Sequence, residues 1–192
     1  QKVELGILEP SSAPYSNRWF TVPKKNGTLR FIQDLQPVNK VTIRNTGVGP
    51  SIDEFAEAFA GRSIYSVGDL YSGYDQFQLA VESRDANPSW PSSDVYPTNS
   101  VAYMVNVMNK VLRDGIPDIS MLFLDDIPMK GCSDDANDKS IVANGCRRFV
   151  MDHIFDCEKV LQRLEGARLT FSRAKSAFKQ PEILVVGHLC GS

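Results

Sequence analysis

Three aspartates stand where carboxylates could act together. Asp69 follows a β-prone run at 63–68, and Asp125 and Asp126 come 56 positions later, between two short apolar runs. If those strands are neighbours in one sheet, the three carboxylates converge and repel by on the order of a few kcal/mol unless a cation neutralises them. Hard oxygen ligands select Mg²⁺ or Mn²⁺, and two such ions support phosphoryl transfer. The alternative is that Asp125 and Asp126 only fill a polar turn.

The basic side chains are concentrated in the first 50 residues. That segment has seven bases against three acids, a net charge of +4, so the remainder of a chain with net charge −2 carries −6. A basic segment beside an acidic one suits a phosphate-bearing partner held near carboxylates that bind metal. An ordinary solvated surface is the alternative interpretation. The bases are Lys2, Arg18, Lys24, Lys25, Arg30, Lys40 and Arg44.

Composition excludes several other classes of protein. With 192 residues, 42% of them apolar and 23% charged, the chain resembles an ordinary globular protein and not a disordered or collagen-like one. No apolar run is long enough for a membrane span and no signal-peptide pattern is visible, so we expect an intracellular protein. The four cysteines show no C-x-x-C pair, so reduced thiols are expected in preference to a zinc site.

Turn and capping signals divide the chain into elements that would position the aspartates. Asn26-Gly27 between β-prone runs at 19–22 and 29–32 predicts a hairpin. Ser51 with Glu54 forms a capping-box pattern, and Gly61 ends a predicted helix at 51–60.

The second half predicts a hairpin that carries Asp125 and Asp126, set between two helices. The expected elements are a helix at about 98–113, strands at 120–124 and 127–130, a long helix at roughly 141–165, and closing strands that end with 183–189. The order predicts an α+β fold with a split β-α-β plan, in which helices cover one face of an antiparallel sheet.

Several segments, in this order, resemble the reverse transcriptases of long-terminal-repeat retroelements, in particular the Ty3/gypsy-like group of fungal type. Phe123-Leu124-Asp125-Asp126 is similar to that family's aromatic-x-Asp-Asp hairpin, and the segment from Val67 through Asp69 and Tyr74 to Gln76 is similar to its first catalytic motif. Segments 22–30 and 34–39 resemble the fingers hairpin and the stretch after it, and 185–188 resembles the segment that supports the primer terminus. The resemblance covers nearly the whole chain.

The resemblance implies a right-hand polymerase fold with fingers and palm. It implies fingers at 1–50, palm at 51–83, a shortened connection at 84–97, and palm again at 98–192. It also implies RNA-directed DNA polymerase activity, with Asp69, Asp125 and Asp126 catalytic and with two Mg²⁺ or Mn²⁺ ions held by these carboxylates and by the backbone carbonyl of Leu70.

The resemblance assigns binding roles as well. Lys24, Lys25 and Arg30 would bind the triphosphate of a deoxynucleotide, and Tyr74 would lie under its sugar. The segment Val186, Gly187 and His188 would contact the primer. The implied partners are an RNA or DNA template-primer, deoxynucleoside triphosphates, and the RNase H and integrase domains of a Pol polyprotein. The implied location is the cytoplasm or a virus-like particle, with no membrane partner.

One segment departs from the family pattern. Only 29 positions separate Asp69 from Thr98, roughly eight fewer than the resemblance leads us to expect. The family's Pro-x-Gly element near the nucleotide base is missing from 85–97. Two alternatives to an active polymerase therefore stay open: a degenerate retroelement remnant, and a nucleic-acid-binding module of the same fold without chemistry.

Overall fold

The computed structural model describes thirteen elements within two compact units. One unit comprises residues 1–47 and 74–104, and the other comprises 48–73 and 105–192. The described residues are 4, 18–24, 27–34, 36–41, 51–77, 98–123, 126–132, 138–142, 145–185 and 187–191.

The first unit contains a β-hairpin and a short helix. Strands β1 (Trp19–Pro23) and β2 (Leu29–Gln33) pair antiparallel, which confirms the predicted hairpin. Gly27 has a φ of 80°, the left-handed conformation that glycine adopts without strain. Helix α1 (Gln36–Val41) follows, and the Asp34 carboxylate accepts a 3.0 Å hydrogen bond from the backbone N–H of Gln36.

The second unit is built on a three-stranded antiparallel sheet. Strand β3 (Tyr65–Asp69) is central, between β4 (Asp126–Lys130) and β5 (Ala177–Gln180). Helix α2 (Ile52–Phe59) precedes the sheet, and the Ser51 hydroxyl caps it by accepting from the Glu54 N–H at 3.1 Å, as the capping pattern predicts. Helix α3 (Thr98–Val111) begins in the first unit and ends in the second, close to its predicted bounds. A 3-10 turn, Arg113–Gly115, follows it.

Both faces of β3 are covered. On one face Ser66 contacts His153 of the long helix α4 (Arg148–Gly166). Successive side chains of a strand point to opposite faces, and Tyr65 belongs to an apolar cluster with Phe55 and Phe59 of α2. That cluster also takes buried side chains from the hairpin of β6 (Glu182–Val185) and β7 (His188–Gly191). The α+β fold is as predicted. The prediction that helices cover only one face of the sheet is wrong, because α4 lies on one face of β3 and α2 packs on the other.

The sheet also fixes the C-terminal end of α2, where backbone carbonyls lack helical partners. The Tyr65 hydroxyl donates to the carbonyl of Phe59 at 2.6 Å and accepts from the Arg62 N–H at 3.0 Å. The buried Lys130 ammonium donates to the carbonyl of Ala58 at 3.2 Å. Burial lowers the pKa of Lys130, because desolvation disfavours its charged form.

The expected strand at 120–124 is wrong as a continuous element. Ser120 and Phe123 pair with β4 only through isolated bridges, to Met129 and Asp126. Pro128 of β4 explains the interruption. The carbonyl of Pro128 accepts from the Ser120 hydroxyl at 2.7 Å, so the backbone of Pro128 faces the 120–124 segment. Because proline has no N–H, one hydrogen bond of a regular ladder between these two segments cannot form.

Two further boundaries differ from expectation. The long helix starts at Arg148 and not near 141, because Gly145 has a φ of 71° and an Ile141–Arg147 bridge closes the segment before the helix. The apolar run 183–189 is not one strand but parts of the β6–β7 hairpin, with Gly187 at a φ of 81°. Within the described residues, no helix is long and apolar enough to cross a membrane.

Candidate active site

Asp69 and Asp126 face each other across two neighbouring strands. Asp69 is the last residue of β3 and Asp126 the first of β4, and the two are direct partners in the antiparallel register. Directly opposed residues project to the same face, with Cβ atoms about 4.5–5.5 Å apart. The strands of these two predicted catalytic residues are therefore adjacent. This is the juxtaposition on which the metal hypothesis depends.

Asp125, the third predicted carboxylate, lies outside the described residues, as does Leu124. Their neighbours Phe123 and Asp126 exchange backbone hydrogen bonds of 3.2 and 3.0 Å. Among the residues that the structure describes, no three His, Cys, Asp or Glu side chains gather into a metal-holding group. The predicted three-carboxylate site includes Asp125 and therefore extends beyond the described residues.

Residues on either side of Asp69 are tightly packed. Leu70, whose backbone carbonyl is the fourth predicted metal ligand, is 1% exposed and forms an antiparallel bridge with Phe171. A Cβ at Gly68 would overlap the ring of Phe171. Glycine is therefore required at the position before Asp69, because it lets this ring lie directly on the backbone.

The loop at 172–176 holds Asp69 by its backbone and by its side chain. The Asp69 N–H donates to Ser176 Oγ at 3.1 Å, and the Asp69 carbonyl accepts from the Ser172 N–H at 2.8 Å. The Lys175 ammonium lies 3.2 and 3.5 Å from the two carboxylate oxygens of Asp69. Both the direction and the charge environment of this carboxylate are set by one loop.

The donor set fits a hard divalent cation. The Asp69 side chain is 15% exposed. A cation, the Lys175 ammonium, already lies within hydrogen-bond distance of both its carboxylate oxygens. Asp126 adds a second carboxylate from the opposite strand position. Carboxylate oxygens are the ligands that Mg²⁺ and Mn²⁺ prefer. Asp69 and Asp126 could therefore hold such an ion.

The predicted nucleotide-binding residues are distributed over several elements. Lys24 is exposed at the end of β1, and its N–H donates to the carbonyl of Thr28 at 2.7 Å. Arg30 lies in β2, opposite Val22, and Lys25 lies outside the described residues. Tyr74 belongs to the 3-10 helix Gly73–Gln76 and is 8% exposed. Their binding roles stay predictions.

Two of the three predicted primer-binding residues are described. Gly187 lies between β6 and β7, and the exposed His188 begins β7 opposite Val185. Val186 lies outside the described residues. The other face of this hairpin is anchored, since Ile183, Val185 and Cys190 are buried in the apolar cluster with Tyr65.

Curated proteins with similar sequences include polyproteins of fission yeast transposons. The transposon Tf2-3 and Tf2-7 polyproteins of Schizosaccharomyces pombe are each 24% identical over 196 aligned residues, covering 98% of this chain and 14% of the polyprotein. No protein-family model matches the chain. The chain thus spans about one seventh of the length of the curated relatives that it matches.

Solved structures with a similar fold include foamy virus enzymes. The native protease-reverse transcriptase of prototype foamy virus matches 100% of this chain and 25% of its own, with a TM-score of 0.77 and 20% identity. A foamy viral protease-reverse transcriptase in complex with double-stranded DNA matches 99% of this chain and 32% of its own, with a TM-score of 0.75 and 22% identity. The chain is therefore similar in sequence to LTR-retrotransposon polyproteins, and it shares the fold of these reverse transcriptase structures.

Sequence reasoning selected Asp69, Asp125 and Asp126 as candidate site residues but did not predict the loop that holds Asp69. Lys175 and Ser176 are 106 and 107 positions from Asp69, and they lie in a short polar stretch that matches no metal or nucleotide motif. The available signal was two serines four positions apart beside a lysine. That pattern is common in ordinary turns.

Proposed function

We propose that this domain forms the fingers and palm of an RNA-directed DNA polymerase that extends a primer with deoxynucleotides. In this reaction the primer 3′-hydroxyl attacks the α-phosphate and pyrophosphate leaves. The observation that carries the proposal is the register of Asp69 opposite Asp126, within a fold that matches a reverse transcriptase structure at a TM-score of 0.77.

The carboxylates of Asp69, Asp125 and Asp126 and the backbone carbonyl of Leu70 would hold the metal. Two Mg²⁺ or Mn²⁺ ions there would supply activation of the attacking hydroxyl and stabilisation of the leaving oxygen. The chain itself contributes position. The 172–176 loop holds the Asp69 backbone at both its N–H and its carbonyl, and the register fixes Asp126 opposite.

The substrates would contact the other predicted residues. Lys24, Lys25 and Arg30 would bind the triphosphate, because a guanidinium fork and ammonium groups match phosphate oxygens. Tyr74 would pack under the sugar and exclude a 2′-hydroxyl, and its burial at 8% exposure supports a fixed ring. Val186, Gly187 and His188 would contact the primer at the β6–β7 hairpin.

The wider context is also a proposal. We infer that the domain is part of a longer Pol polyprotein with RNase H and integrase domains, since its relatives are polyproteins about seven times longer than the matched segment. Its template would be RNA or DNA, as two foamy viral neighbours are complexes with double-stranded DNA and with an RNA/DNA hybrid. Its place would be the cytoplasm or a virus-like particle.

Primer extension on an RNA template tests the proposal. The wild-type chain should add deoxynucleotides in the presence of Mg²⁺, and Asp125→Asn should abolish that addition with little change in melting temperature, because one repelling carboxylate is removed. Unchanged extension by Asp125→Asn would refute the assignment of the catalytic site.

A nucleic-acid-binding module without chemistry is the second candidate, and the short interval of 29 positions between Asp69 and Thr98 favours it. The shortened 85–97 segment lies outside the described residues. Polymerase chemistry depends on positioning, and a displacement of about 1 Å can cost about a hundredfold in rate. A graft of roughly eight residues ending in Pro-Gln-Gly ahead of Thr98 should raise single-nucleotide incorporation if this segment limits the enzyme. Equal rates before and after grafting would reject that explanation.

A further inference from the structure

Lys175 reaches Asp69 from a turn that is itself fixed. The Lys175 and Ser176 N–H groups both donate to the carbonyl of Ser172, at 3.1 and 2.9 Å. The Ser176 hydroxyl also donates to that carbonyl at 2.9 Å, while its oxygen accepts the Asp69 N–H. The lysine backbone is thereby tied to Asp69 through several hydrogen bonds, and only its side chain is free to move.

The two side chains of this ion pair differ in exposure. The Asp69 side chain is 15% exposed, whereas that of Lys175 is 63% exposed. The carboxylate is therefore held in a mostly desolvated position, where an opposite charge is worth more than in water. The Lys175 ammonium, by contrast, can move into solvent at a small cost in free energy, because its side chain is flexible.

We propose that Lys175 is the resident counter-cation of Asp69, and that a divalent metal ion must displace it. This inference rests on the proposed function, in which Asp69 is a metal ligand. A metal ion and an ammonium group that share the same carboxylate repel each other, so both cannot keep their closest contacts. Lys175 thus compensates the charge of the Asp69 carboxylate and orients it in the metal-free domain, and lowers its apparent affinity for metal.

Binding of Mn²⁺ to the full chain, followed by the electron paramagnetic resonance signal of free Mn²⁺, tests this without any activity assay. Lys175→Met keeps most of the stem and removes the charge. We expect its dissociation constant for Mn²⁺ to fall about two- to fivefold, the range that an exposed ion pair can supply. Lys175→Arg, which keeps a cation, should bind Mn²⁺ with nearly the wild-type dissociation constant.

Lys159→Met is the matched control. Lys159 is 65% exposed and pairs with Asp156 on α4 at 2.8 Å, so it forms a similar exposed lysine–aspartate pair elsewhere. This variant should leave the dissociation constant for Mn²⁺ unchanged. An equal gain in affinity in Lys159→Met and Lys175→Met would mean that net charge alone is responsible, and would overturn the proposal.

Asp69→Asn separates failure of this inference from failure of the proposed function. If wild-type chain binds Mn²⁺ and Asp69→Asn does not, the metal site stands, and unchanged or weaker Mn²⁺ binding by Lys175→Met overturns the counter-cation role alone. If Asp69→Asn binds Mn²⁺ as well as wild type does, the assigned metal site is wrong and the inference falls with it.

Discussion

At the residue scale, a buried polar cluster ties helix α4 to the sheet. Ser66 Oγ lies 2.8 Å from His153 Nε2 and accepts from the Lys179 N–H at 3.1 Å. The Cys157 thiol lies 3.5 Å from His153 Nε2 and 3.6 Å from Ser66 Oγ. Burial lowers the pKa of His153 and raises that of Cys157, because desolvation disfavours the charged form of each. Both groups therefore stay neutral near pH 7.

His153 should make stability depend on pH. Because its pKa in the folded chain is below the ordinary value of 6.5, the unfolded chain binds more protons as pH falls below 6.5. The free energy of unfolding should therefore decrease between pH 6.5 and 5.5. Urea denaturation of wild type and His153→Gln measures this, with the exposed His188 present in both. An equal decrease in the two proteins would contradict this role for His153.

Gly68 should tolerate no side chain, because the ring of Phe171 occupies the space of a Cβ. We expect Gly68→Ala to lower the free energy of unfolding by about 1–3 kcal/mol, the usual cost of overpacking. Gly166→Ala is the control, since a Cβ at the end of α4 would meet nothing within 4 Å. Equal stabilities of the two variants, measured by urea denaturation, would show that the Phe171 ring moves aside freely.

At the element scale, capping and turn signals predict the elements that they flank, and the strands of Asp69 and Asp126 are neighbours as expected, whereas the contact of Lys175 with Asp69 was not predicted. The capping pattern at Ser51 and the Asn26-Gly27 pair in the sequence lie within a few residues of the elements that they predict, so the sequence alone located α2 and the β1–β2 hairpin. The predicted start of α4, near residue 141, is wrong. Val142 and Cys146 continue the apolar spacing of the helix, but Gly145 has a left-handed conformation and the helix begins only at Arg148. The contact between the Lys175 ammonium and the Asp69 carboxylate joins residues 106 positions apart, and no local sequence pattern predicts it.

The end of α2 gives a prediction at this scale. Tyr65→Phe removes the hydroxyl that serves both the Phe59 carbonyl and the Arg62 N–H. Leaving buried polar groups unpaired costs about 1–3 kcal/mol, and thermal or urea unfolding should show a loss of that size. Tyr103→Phe is the control, because Tyr103 is 50% exposed and its ring contact with Phe77 is kept. A loss no larger than that of the control would mean that water replaces the hydroxyl.

At the scale of the whole molecule, charge is divided along the chain. The first 50 residues carry +4 and the remainder −6, so nucleic-acid affinity should come from the basic segment and fall with salt. The Lys24→Ala, Lys25→Ala double variant should bind a primer-template more weakly, with the slope of log K against log salt reduced by about 1–2. Lys159→Ala, in the other unit, should keep the wild-type slope. An unaltered slope in the double variant would place the contact elsewhere.

We propose that Asp69 and Asp126, opposed across β3 and β4, serve one metal-dependent polymerase site. Single-nucleotide incorporation into an RNA-templated primer, measured as a function of Mg²⁺ concentration, tests it most directly. Wild type and the control Asp156→Asn should incorporate a deoxynucleotide only with Mg²⁺, and Asp69→Asn should be slower by at least about a hundredfold at every Mg²⁺ concentration. Incorporation by Asp69→Asn at the wild-type rate, or by wild type without any divalent metal, would contradict the account.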